Sequence, residues 1–107
     1  MKASVIASLF FALVVSANDC VFWNSCYCTS ADGTPADAFN AEQACLQFGS
    51  ASGRIDAVET RLDGGISKCF GKVVEAGTIF HLDNCVFQDG CAARGFTGAP
   101  VCEGRFS

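Results

Sequence analysis

The chain has 107 residues, 17% of them charged, and a formal net charge of −4. That length fits one domain and excludes a barrel enzyme or a two-domain cofactor enzyme. Eight cysteines in so short a chain point to a disulfide scaffold.

The N-terminus reads as a secretory signal. Lys2 supplies the positive start, Val5 to Val15 is an apolar run broken only by Ser8, and Val15-Ser16-Ala17 offers small residues at the positions a signal peptidase reads. The expected leader is 1–17, cleaved before Asn18, with one disulfide-rich domain over 18–107. The run falls short of the ~20 apolar residues that span a bilayer. No second run of that length follows, so the mature chain is expected to be secreted, extracellular and without a membrane span. Without Lys2, six scattered basic residues (Arg54, Arg61, Lys68, Lys72, Arg94, Arg105) face eleven acidic ones. Binding nucleic acid means neutralising phosphates with Lys and Arg, so no nucleic-acid partner is expected.

All eight cysteines (Cys20, Cys26, Cys28, Cys45, Cys69, Cys85, Cys91 and Cys102) follow the leader. An even count on a small secreted chain reads as four disulfides, with the pairing left open by spacing. Zinc binding needs Cys-x-x-Cys or Cys/His pairs at ligand spacing. There is no Cys-x-x-Cys, and His81 is the single histidine. No metal or cofactor is implied. A domain of this size buries only about 60% of its unfolded surface, which gives the bridges their physical purpose.

In chain order, Val21 to Thr29 is rich in β-formers and forms a first strand. A strand points Cys26 and Cys28 to one face, where helices are expected. Asp32-Gly33 centres a turn. A helix then starts at Thr34-Pro35, or is capped by Asn40 with Gln43 three residues on. It presents Ala41, Ala44, Cys45 and Phe48 on one face and ends at Gly49. Arg54–Leu62, whose imperfect alternation would also fit a helix, and Lys68–Glu75 read as a hairpin around Asp63-Gly64-Gly65. Asp83 caps a second helix through Val86, Phe87, Cys91, Ala92 and Ala93, ending at Gly95; Gly90 weakens it by roughly 1 kcal/mol relative to Ala. Pro100–Arg105 is a last strand.

The order βαββαβ predicts an α+β fold: a four-stranded antiparallel sheet with two helices on one face, a ferredoxin-like sandwich stapled by four disulfides. Cys26 and Cys28 then lie beneath Cys45 and Cys91, predicting bridges from the first strand to both helices. The phenylalanines Phe22, Phe39, Phe48, Phe70, Phe80, Phe87, Phe96 and Phe106 recur once per element and are expected mostly in the core. Trp23 points away from Cys26 and Cys28 in a regular strand. It is therefore the expected exposed aromatic on the helix-free face, and the candidate partner contact.

A Cys-x-Cys in the first strand, a helix carrying Cys45, and Phe87 four residues before Cys91 ahead of a Gly-rich final strand together resemble the small cysteine-rich secreted proteins of filamentous fungi. In order and spacing the chain resembles the α/β-sandwich killer toxins of smut fungi and the plant-pathogen effectors that share their fold. That resemblance implies a secreted effector or toxin acting outside the producing cell without catalysis. A second stretch, Cys26-Tyr27-Cys28 followed by Gly33-Thr34-Pro35-Ala36-Asp37, is similar to the calcium loop of secreted calcium-dependent phospholipases. Those enzymes place a His-Asp pair on the next helix, where this chain reads Ala44-Cys45-Leu46-Gln47-Phe48, and without that base there is no activated water.

Other constellations have plain readings. His81 and Asp83 share a face only on a strand, and a surface histidine is the simpler reading. Asp56, Glu59 and Asp63 read as a solvated face, and no nucleophile-elbow pattern is present. The expected function is non-enzymatic recognition of a host or competitor protein or surface molecule. A receptor-requiring killer or antimicrobial toxin is the first alternative, and a calcium-dependent lipase-like hydrolase the disfavoured second.

Overall fold

A computed structural model describes residues 20–106; the expected leader, 1–17, lies outside the described residues. The elements are β1 (Phe22–Tyr27), α1 (Ala38–Ala51), a 3-10 turn (Ile55–Ala57), β2 (Val58–Asp63), β3 (Ile66–Gly71), β4 (Val73–Glu75), β5 (Thr78–Ile79), β6 (Leu82–Asp83), α2 (Asn84–Ala93) and β7 (Val101–Phe106). β1 is central. β7 pairs along one side of it; β3 and β6 pair with different parts of it, and β2 pairs outside β3, all antiparallel. Among the described residues the fold is thus α+β, with two helices, antiparallel sheets and four disulfides.

The expected four-stranded sheet needs correction: the main sheet has five strands, and β4–β5 form a separate pair. The break falls at Gly71, where a Cβ would strike the backbone carbonyl of Phe80. The Phe80 N–H donates to the Lys72 carbonyl at 2.9 Å. Past Lys72 the chain therefore leaves the sheet and turns on Ala76-Gly77, with φ of 53° and 75°. Positive φ at both central residues is what a type I′ two-residue hairpin turn demands. The chain returns as β6, which pairs Trp23 with Leu82 and Phe22 with Asp83.

The first helix is capped by Asp37, not by Thr34-Pro35 or Asn40. The Asp37 carboxylate accepts from Asn40 Nδ2 at 2.8 Å and from the Asn40 N–H at 3.3 Å. The hydrogen bonds from Asn40, its side chain first, hold this carboxyl below the usual range. Gly49 does not end the helix, which continues to Ala51. A Cβ at Gly49 would lie 2.9 Å from Ile55 Cα and from Val58 Cγ2, so it is a packing glycine. Asp83 caps α2 as expected, accepting from Cys85 N–H at 2.9 Å and Val86 N–H at 3.5 Å. The helix closes with Phe96 N–H donating to Cys91 O and Gly95 N–H to Ala92 O, a Schellman motif with Gly95 at φ 89°. Gly90 serves the close approach of the helices, since its Cβ would sit 3.2 Å from the Ala44 carbonyl.

The bridges are Cys20–Cys85, Cys26–Cys102, Cys28–Cys91 and Cys45–Cys69. Cys28–Cys91 ties the end of the first strand to α2 as expected. The bridge expected from the first strand to α1 is corrected. Cys26 lies opposite both Cys69 and Cys102 in the sheet, and its Cα is 4.0 Å from that of Cys102. Cys45 of α1 reaches Cys69 of β3 instead. Six half-cystines, none more than 1% exposed, form the core with Trp23, Phe48, Leu82 and Phe87. The ring of Phe48 meets those of Phe87 and Phe80 at 6.0 and 6.2 Å. Phe22 and Phe39, expected with the core phenylalanines, are instead 48% and 61% exposed.

Asn84 is fully buried and clamps the start of β1. Its Oδ1 accepts from the Val21 N–H at 2.8 Å, and its own N–H donates to the Val21 carbonyl at 3.3 Å. Replacing Asn84 with Ala strips the Val21 N–H of its acceptor. The expected loss is about 1–3 kcal/mol, read from the denaturation midpoint of the oxidised protein; an unmoved midpoint would refute the clamp.

Candidate recognition surface

Trp23 is not the exposed aromatic expected on the helix-free face. It is 9% exposed and belongs to the core cluster. The cause is β6, whose fully buried Leu82 lies directly opposite it in the sheet. The exposed aromatic of β1 is its neighbour, Phe22. A strand alternates its side chains between faces, so the two occupy opposite sides.

Phe22 opens onto a groove of about 320 Å³ that it lines with Val74, Thr78, Ile79, Phe80 and His81. The groove joins the N-terminal end of β1 to the β4–β5 hairpin. Its lining is apolar apart from Thr78 and the His81 imidazole. Val73 of the same hairpin is 65% exposed and Ile79 39%. Sequence reasoning missed this site because its residues come from segments some fifty positions apart, joined only by the return of the chain as β6. The one local signal is the run Thr78-Ile79-Phe80 beside the Ala76-Gly77 turn.

The residues read as potential chemistry are engaged elsewhere. Asp83 is the α2 cap, while His81 lies on the groove wall. Asp56 pairs with Arg54 at 3.4 Å, Glu59 with Arg61 at 3.2 Å and Asp63 with Lys68 at 3.0 Å, so each of the three carboxylates lies against a different cation. In the loop likened to a calcium site, Asp32 accepts from the Ser30 hydroxyl and from the Thr34 N–H. These bonds, Ser30 first, hold its carboxyl down to about 2 and fold it back on its own turn. Cys20, Asp83 and Cys85 cluster at ligand distance, but the two sulfurs are bonded to each other and are not thiolates.

The face opposite the helices is charged and internally paired. Lys68, 8% exposed, reaches Asp63 at 3.0 Å and Glu103 at 3.1 Å, with its ammonium 5.7 Å from the Tyr27 ring. Burial alone would lower its pKa, but the hydrogen bonds to Asp63 and Glu103 outweigh burial and hold it above the usual lysine value. The Arg61 guanidinium stacks 3.8 Å over Phe70. Among the described residues no helix is long and apolar enough to cross a membrane. Four disulfides fit an oxidising environment. Comparison with protein-family models, curated proteins and solved structures finds no match for the chain.

Proposed function

We propose that this is a secreted, non-enzymatic effector-type protein that recognises a host or competitor protein or surface molecule through the Phe22 groove. The observation that carries the reading is an apolar groove flanked by exposed Phe22, Val73 and Ile79 on a frame stapled by disulfides. Exposed apolar groups grouped around a concavity mark binding sites better than scattered ones do. The leader expected over 1–17 from its sequence supports export. The βαββαβ order of β1, α1, β2, β3, α2 and β7, with β2-β3-β1-β7 side by side, supports the resemblance to the ferredoxin-like sandwich of smut-fungus killer toxins.

The test applies the oxidised protein to infiltrated plant leaf and to growing yeast and bacteria, with a reduced and alkylated control. The expected result is a leaf response that Phe22→Ser weakens about tenfold or more in dose, as loss of an interface anchor does. Leu46→Ser, outside the groove, leaves it intact. Circular dichroism confirms that both variants fold. A folded Phe22→Ser protein with unchanged dose response would remove the groove from the reading. Microbial inhibition without leaf response would replace the effector by a receptor-requiring toxin.

A further inference from the structure

A different surface carries an inference independent of the groove. Strand β2 is an outer strand of the main sheet, paired with β3 along all six of its residues. The two-residue Gly64-Gly65 turn closes on the Asp63–Ile66 pair, which is hydrogen-bonded in hairpins of this length. Pairs alternate along an antiparallel ladder, so Asp63, Arg61 and Glu59 turn their backbone groups towards β3. Leu62, Thr60 and Val58 turn theirs outward, where no further strand pairs among the described residues. The strand reads Val58-Glu59-Thr60-Arg61-Leu62-Asp63 and contains no proline or glycine. An edge of this kind is a template for another strand.

We propose that two copies of the chain join antiparallel along β2, with Thr60 facing Thr60 of the second copy and each Glu59 opposite the other copy's Arg61. In this register the outward groups of Thr60 meet each other, and those of Val58 meet those of Leu62. The Glu59–Arg61 pairs fall at the closely spaced, non-hydrogen-bonded positions, where side chains interact most. Moving the centre to Glu59 or Arg61 sets like charges face to face, and moving it to Leu62 runs the partner strand into the Gly64-Gly65 turn. Charge complementarity therefore selects a second copy as the occupant and fixes its register.

Apolar surface agrees with this choice. Leu62, 74% exposed, lands opposite Val58 of the second copy, itself only 5% exposed. Ile55, 54% exposed, is adjacent there, since both Ile55 and Val58 crowd Gly49. A groove of about 340 Å³ lined by Ala38, Glu42, Thr60, Arg61, Leu62 and Ser67 flanks the same edge.

Sedimentation equilibrium of the oxidised protein from micromolar to millimolar concentration tests the pairing. The expected result is a reversible rise to the mass of two chains. Arg61→Glu alone, or Glu59→Arg alone, weakens association about tenfold or more by setting like charges opposite. The exchange Glu59→Arg with Arg61→Glu restores it. Thr60→Pro removes an outward N–H without touching the ladder to β3, and abolishes association in a protein that circular dichroism shows still folded. A single-chain mass up to millimolar, or a dimer indifferent to the charge reversals and to Thr60→Pro, would overturn the proposal.

Discussion

Replacing Cys28 and Cys91 together by alanine lowers the unfolding free energy by about 2–5 kcal/mol. The two residues are 63 apart in sequence, so the bridge shortens a long loop in the unfolded chain. They are also 1% and 0% exposed, so their sulfurs fill space among Phe48, Phe87 and Leu82 that alanine leaves empty. The bridge is the direct covalent tie between the end of β1 and α2. Urea denaturation followed through Trp23, the single tryptophan and a buried one, reads the loss. A midpoint equal to that of the parent protein would show that the core does not depend on this bridge.

Gly71→Ala has the second large effect, a loss of about 3 kcal/mol from overpacking. The added methyl would meet the Phe80 carbonyl, a backbone atom of the segment that leads into β6. The peptide of Phe80 is itself held by its hydrogen bond to Lys72 at 2.9 Å, so it cannot yield as a flexible side chain would. Gly33→Ala provides the comparison: its φ of 90° is unfavourable, but nothing lies within 4 Å of its Cβ. Its cost is the backbone strain alone, about 1 kcal/mol. Equal losses in the two variants, by the same urea titration, would show that crowding at Gly71 is not what ends β3.

The contrast between these glycines explains which parts of the fold the sequence reveals. Asp63-Gly64-Gly65 and the Asp83 cap act through local backbone chemistry, and both are legible from a few adjacent residues. So is the helical face of Ala41, Ala44, Cys45 and Phe48, all buried in α1. Gly71 and Gly49 matter because of backbone distant in sequence, and neither carries a local sign of it. Gly49 resembles a helix stop while serving as a contact point for Val58 and Ile55.

The cysteines divide in the same way. That a cysteine of the first strand meets α2 follows from strand alternation beneath helices, although alternation does not choose Cys28 over Cys26. That Cys26 joins Cys102 depends on the register of β7 against β1, which no short pattern specifies. Trp23 and Phe22 show the sharpest form of this limit. Alternation correctly separates them, but β6, two residues long and without periodicity, decides which of them is covered. The groove beside Phe22 inherits that decision, because Phe22 is the residue left exposed.

Export and stapling are tested together by expressing the whole 107-residue chain in a secretory host. Protein recovered from the medium is then mapped by non-reducing peptide mass spectrometry. The expected product begins at Asn18 and carries Cys20–Cys85, Cys26–Cys102, Cys28–Cys91 and Cys45–Cys69 with no free thiol. Retention inside the cells with an uncleaved N-terminus, or a mature product bridging Cys26 to Cys45, would contradict an exported recognition protein built on this frame.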